Sequence, residues 1–251
     1  MMKKTYAALA LSVVLSVSAQ NALAEQVKNV VLVHGAFADG SSWGPVATIL
    51  DNAGYKVSIV QEPQTSLADD VAATRRILAQ QHGKTLLVGH SYGGMTISDA
   101  GNDPAVAGLV YVAAFEPDTG ETLLSLAGKI PPASKSVAET ADHFLYLKPE
   151  NFQADFAADL PKKQTDMMAR SQVMPAAAAF SAPAGSPAWR TKPSWAVVAT
   201  EDRAINPELE RYMAKRAHST LVEIKGSHAI YASQPEKVAA LIKEAAQSLS
   251  H

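Results

Sequence analysis

Short apolar runs that alternate with helical stretches constrain this chain more than any other feature. NVVLV at 29–33, KVSIV at 56–60, TLLV at 85–88 and AGLVYV at 107–112 are separated by segments of helical spacing. A solid apolar run of this length suits a strand covered on both faces, as in the middle of a parallel sheet. The segments between read as helices. One covers 43–53 and is stopped by Gly54; a second is capped by Ser66, with Asp69 three residues on, and ended by Gly83; a third covers 91–100. Strand and helix in alternation require right-handed crossovers, so the expected fold is α/β: a mostly parallel central sheet with helices on both faces.

The alternation stops between 116 and 190, where no strand is convincing. Eight of the 14 prolines fall there, and five of the six phenylalanines (Phe115, Phe144, Phe152, Phe156, Phe180) lie in or beside it. Such an insertion reads as a helical cap, about 116–190, over the carboxyl edge of the sheet. Strands at 194–199 and 220–224 follow it, with a helix at 207–217 between them. The last helix is expected to start at Ser233 with Glu236 completing a capping box, and to bury Val238, Leu241, Ile242 and Ala245.

The first residues have a different character. Lys3 and Lys4 precede an apolar run from Tyr6 to about Val17, and Ala22-Leu23-Ala24 stands before Glu25. Positive start, short apolar run and A-x-A site make a secretory signal peptide at 1–24, leaving a single domain at 25–251. The run is too short to span a bilayer, so no membrane anchor is expected after cleavage. The leader is of a bacterial kind, and the protein is expected to be exported, periplasmic or secreted. Cysteine is absent, which removes disulfides, thiol chemistry and thiolate zinc sites. A net charge of -2 without basic clusters gives no reason to expect nucleic acid or an anionic membrane as partner.

Chemistry centres on Gly89-His90-Ser91-Tyr92-Gly93, a G-x-S-x-G string where a strand ends and a helix begins. On so tight a turn the serine is strained and raised above the sheet edge, while flanking glycines avoid collision with neighbouring backbone. A serine hydroxyl needs a base. His251 is the terminus, His82 and His218 lie near helix C-terminal ends, His143 is in the cap, and His90 reads as packing inside the elbow. His34 ends the first strand and belongs elsewhere in the site. His228 remains, in the loop after the last strand. Three acids compete to orient it: Asp202 after the strand at 194–199, Glu201 beside it, and Asp118. Chain order and strand position favour Asp202. Val33-His34-Gly35-Ala36-Phe37 turns sharply after the first strand, so the Ala36 and Tyr92 amides could together hold an oxyanion.

As an ordered set, HGAF, GHSYGG, the cap, ATEDR and GSHAIYASQP resemble the α/β-hydrolase superfamily over nearly all of the mature chain. The likeness is to small bacterial esterases related to plant methyl esterases and hydroxynitrile lyases. It implies Ser91 as nucleophile, Asp202 as acid, His228 as base and the Ala36 and Tyr92 amides as oxyanion hole. The lyases carry a lysine after the catalytic histidine and a threonine where Gly35 stands. Here the residues are Ala229 and Gly35, which argues for hydrolysis, and Ser91 excludes the aspartate chemistry of haloalkane dehalogenases.

The expected activity is therefore hydrolysis of a small, largely apolar carboxylic ester through an acyl-enzyme, with no metal or cofactor called for. Phe37, Phe115 and Phe144 are candidate pocket residues, and Met167, Met168 and Met174 suggest an adaptable apolar wall. The alternatives are a cofactor-free lyase or carbon–carbon bond hydrolase on the same triad, and a non-catalytic ligand-binding protein.

Overall fold

A computed structural model describes residues 26–250; the leader expected at 1–24 lies outside them. The chain begins with β1 (Asn29–Val33), buried throughout, then α1 (Gly44–Asn52), β2 (Lys56–Val60), α2 (Leu67–Leu78), β3 (Thr85–Ser91), α3 (Gly93–Ala100) and β4 (Val106–Ala114). After the insertion come β7 (Ser194–Ala199), α8 (Pro207–Arg216), β8 (Thr220–Ile224), α9 (Ile230–Ser233) and α10 (Pro235–Ser248). The strands form one sheet in the order β2-β1-β3-β4-β7-β8, and every neighbouring pair is parallel.

That order fixes where the helices go. The chain steps outward from β1 to β2, returns across β1 to β3, and continues to β4. Right-handed crossovers then put α1 on one face and α2 and α3 on the other. The contacts agree: α2 packs on α3, and α10 returns to lie against α1. β1, β3 and β7 are buried along their whole length, whereas the edge strand β8 is largely open to solvent and the other edge, β2, is half-buried. The reversal of direction between β1 and β3 opens a crevice at their carboxyl ends, the usual place for a ligand in an open α/β sheet.

The insertion between β4 and β7 contains α4 (Leu123–Lys129), α5 (Pro149–Phe156), α6 (Lys162–Ser171) and α7 (Ala177–Ser181). It also contains an antiparallel hairpin of β5 (Val137–Glu139) and β6 (Leu145–Leu147), where no strand was expected. Each strand has three residues, too few for alternation to show. The last helix also differs from expectation. Ser233 closes α9 instead of capping α10, which has Gln234 as its N-cap without a side-chain bond. Pro235 is the cause: it suits the first helical position and forces the residue before it out of helical geometry. The stripe of Val238, Leu241, Ile242 and Ala245 is buried as expected.

Candidate active site

Ser91 ends β3 with φ 53°, in the left-handed region, at a cost of about 1–2 kcal/mol for a non-glycine residue. Its surroundings hold it there. Phe115 N–H donates to Ser91 C=O at 3.1 Å, and the turn after β1 packs directly on the elbow. A Cβ on Gly35 would lie 2.6 Å from Ser91 Cβ, and one on Gly93 would lie 2.6 Å from His34 O. Only glycine lets the two loops approach so closely.

His228 follows β8 and is 1% exposed. Its Nδ1 lies 2.6 Å from Asp202 Oδ2. The other oxygen, Oδ1, accepts from the amides of Ala204 at 2.7 Å and Ile205 at 2.9 Å. Asp202 is thus fixed as an acceptor, so Nδ1 carries the proton and Nε2 is left bare. The competing acids are committed elsewhere: Asp118 pairs with Arg190 on the surface, and Glu201 lies near Lys225. Ser91 and His228 line one cavity, without a hydrogen bond between them. Such contacts commonly tighten only when substrate arrives.

His90 has more than a packing role. Its ring lies 4.6 Å from the His228 ring, and its Nε2–H donates to His228 C=O at 3.0 Å. Burial, then the neighbouring His228, holds the His90 imidazole well below the usual range, so it stays neutral. The insertion braces the same loops. Ala229 N–H donates to Phe156 C=O at 2.9 Å, Ser227 N–H to Asp159 at 3.1 Å, and Arg203 Nε to Asp155 at 2.9 Å.

The Gly35–Ala36 peptide is gripped from behind. Glu62 N–H donates to His34 Nε2 at 3.0 Å, so His34 Nδ1–H donates to Gly35 C=O at 2.9 Å. Gln64 Nε2 donates to the same oxygen at 2.8 Å. In a trans peptide the N–H points opposite to the C=O, so these two donors turn Ala36 N–H toward the cavity that Ala36 lines. Among the described residues, neither the Ala36 nor the Tyr92 amide donates to a protein acceptor. Tyr92 is pinned through its hydroxyl, which donates to Asp70 Oδ2 at 2.7 Å, while Gln64 N–H donates to Oδ1 at 2.7 Å.

The cavity has a volume of about 370 Å³ and mostly apolar walls. Phe37 and Phe115 line it; Phe144 does not, being held by a bridge to Ala176 at the edge of the hairpin. The methionines are also elsewhere: Met167, Met168 and Met174 do not line the cavity, and Met167 is 61% exposed and Met174 43%. Phe156, Phe180, Leu145 and Leu147 take these places. Gln64 and His90 were not singled out for these roles from sequence, since each acts on a segment far away along the chain. The one available signal was a polar residue at the carboxyl end of a strand–helix unit.

Comparison with known proteins places the fold among relatives that are hydrolases. A pyrethroid hydrolase of Sphingobium wenxiniae is 28% identical over 88% of this chain and 89% of its own. A carbendazim hydrolyzing esterase of Nocardioides is 35% identical over a shorter region, 41% of this chain and 49% of its own. The crystal structure of a pyrethroid hydrolase from Sphingobium faniae superposes with a TM-score of 0.75 at 22% identity, covering 88% of this chain and 98% of that one. The model of the alpha/beta hydrolase family matches residues 30–241. With nearly the whole described chain inside that match, the protein belongs to the alpha/beta hydrolase family.

Proposed function

We propose that the protein hydrolyses a carboxylic ester of a small, largely apolar substrate through an acyl-enzyme on Ser91. Ester hydrolysis is supported by the relatives, a pyrethroid hydrolase and a carbendazim hydrolyzing esterase. The serine route rests on one observation above others: a buried His228 oriented by Asp202 shares a cavity with a serine raised on a left-handed elbow.

In this reading Ser91 Oγ attacks the ester carbonyl and gives its proton to His228 Nε2. Negative charge gathers on the carbonyl oxygen, within reach of the Ala36 and Tyr92 amides; losing one such donor typically costs about 10²–10³-fold in rate. Asp202 stabilises the imidazolium through Nδ1–H. The C–O bond then breaks, and His228 Nε2–H protonates the departing alkoxide. Water repeats the sequence on the acyl-serine, releasing the acid and restoring the hydroxyl. The apolar cavity supports aryl or short-to-medium acyl groups. The lysine- and alanine-rich leader supports export, with Glu25 as the first residue found by N-terminal sequencing.

The test is mass spectrometry after treatment with a fluorophosphonate, with p-nitrophenyl esters as reporters of turnover. The expected result is one adduct, on Ser91, absent in Ser91→Ala and strongly slowed in His228→Ala. Turnover that survives Ser91→Ala would overturn the acyl-enzyme.

A further inference from the structure

One buried acid has no part in the steps above. Glu210 is 3% exposed on the inner face of α8, against the turn that carries Asp202. Its Oε2 accepts from Ala199 N–H at 3.1 Å, and its Oε1 has no hydrogen-bond partner. Ala199 links it to Asp202: the residue whose N–H Glu210 accepts also accepts, at its own C=O, from Asp202 N–H at 3.0 Å, so both carboxyl groups are held by one turn. Two carboxylates side by side cannot donate to one another, and an orphaned buried oxygen costs about 1–3 kcal/mol. A single proton removes both problems. Asp202 cannot easily hold it, because its oxygens already accept from Ala204, Ile205 and His228. Glu210 has the vacant oxygen.

We propose that Glu210 is a positioning residue: as the neutral acid it donates from Oε1–H to the Asp202 carboxylate, holding that group ionised and in place for His228. The proposal rests on the assignment of Asp202 and His228 as acid and base. Electrostatics point the same way. Burial, and then the charge of Asp202, pushes the Glu210 carboxyl well above the usual range, and the favourable pull of the neighbouring Arg211 is weaker. Arg211 itself is committed to Glu208 and Glu223 at the surface. A carboxylic acid kept neutral by its site so that it can donate a hydrogen bond is an established device.

The O–H donor draws electron density from Asp202 and moderates its attraction for the proton on His228. Without it Asp202 becomes a stronger acceptor, and the imidazolium is favoured to higher pH. In Glu210→Met, fluorophosphonate labelling at neutral pH is expected to slow about 10-fold, and the acidic limb of its pH profile to rise by about half to one unit. The low-field proton resonance of His228 Nδ1–H, which needs no turnover, is expected to titrate with the same displacement. Glu210→Gln restores a neutral donor at the same position and is expected to recover most of the lost rate.

Two results would overturn the proposal. A fall of about one unit or more in the acidic limb of Glu210→Gln would mean that a negative charge, not a donor, had been removed. A Glu210→Met protein that is less stable but titrates like the parent would make the residue structural only. If Glu210→Met does not fold, Glu210→Gln alone decides. Failure of the parent protein to label would sink the serine hydrolase reading, while the Nδ1–H titration would still report on Glu210.

Discussion

Gln64 and His34 converge on one carbonyl oxygen, and through it they aim an amide at the cavity. Removing the side-chain donor should leave the turn in place but let the peptide plane wander. Gln64→Leu is expected to lower kcat by roughly 10- to 100-fold while KM changes little, because the oxyanion exists only near the transition state. Steady-state kinetics on a p-nitrophenyl ester separate the two constants; a rise in KM at constant kcat would mean that Gln64 shapes the pocket instead. Ser91, Asp202 and His228 were legible in the sequence because each directly follows or ends an apolar strand run, beside a glycine or a break in pattern. Gln64 and His90 were not, because their significance lies in contacts with residues far off in sequence, and Glu210 was not, because its burial and its unpartnered oxygen appear only once the helix is packed.

Helix α2 shows how an element's own ends support the site. The Ser66 side chain accepts from Asp69 N–H at 3.1 Å and caps the helix, and the next residue along, Asp70, holds both Tyr92 and Gln64. Ser66→Ala is expected to cost about 1 kcal/mol, lowering Tm by roughly 2–4 °C for a chain of this size. Calorimetry at fixed pH measures it, and an unchanged Tm would show that the cap bond is not made in solution. This start was readable from S-x-x-D. The start of α10 was misread because Pro235 overrules the neighbouring serine, and the β5–β6 hairpin was missed because three-residue strands carry no period.

At the scale of the whole molecule, buried acids set the response to pH. Glu116, 1% exposed at the end of β4, is pushed up to about 8 by burial, with the Ser219 hydroxyl and Arg216 opposing the shift. In an unfolded chain a glutamate ionises near 4.3. Between those values the folded protein keeps a proton that the unfolded chain has released, so stability falls as pH rises through this window and levels off above it. The loss is at most ~1.4 kcal/mol per pH unit. Glu116→Gln cannot ionise and still accepts from Ser219; its Tm advantage over the parent is expected to be larger at pH 8 than at pH 5. Equal differences at both pH values would show that Glu116 is already ionised in the fold.

The bonds from Asp155, Phe156 and Asp159 to the loops bearing Asp202 and His228 have a consequence for how such an enzyme changes its diet. A graft that exchanged the whole insertion for a foreign one would strip the Asp202 and His228 loops of their scaffolding as well as redrawing the chamber. New substrate preference is more safely sought in Leu124, Val137 and Leu145, which border the cavity on α4 and the hairpin and have no part in that bracing. Tailoring can proceed there residue by residue while the chemistry keeps its footing.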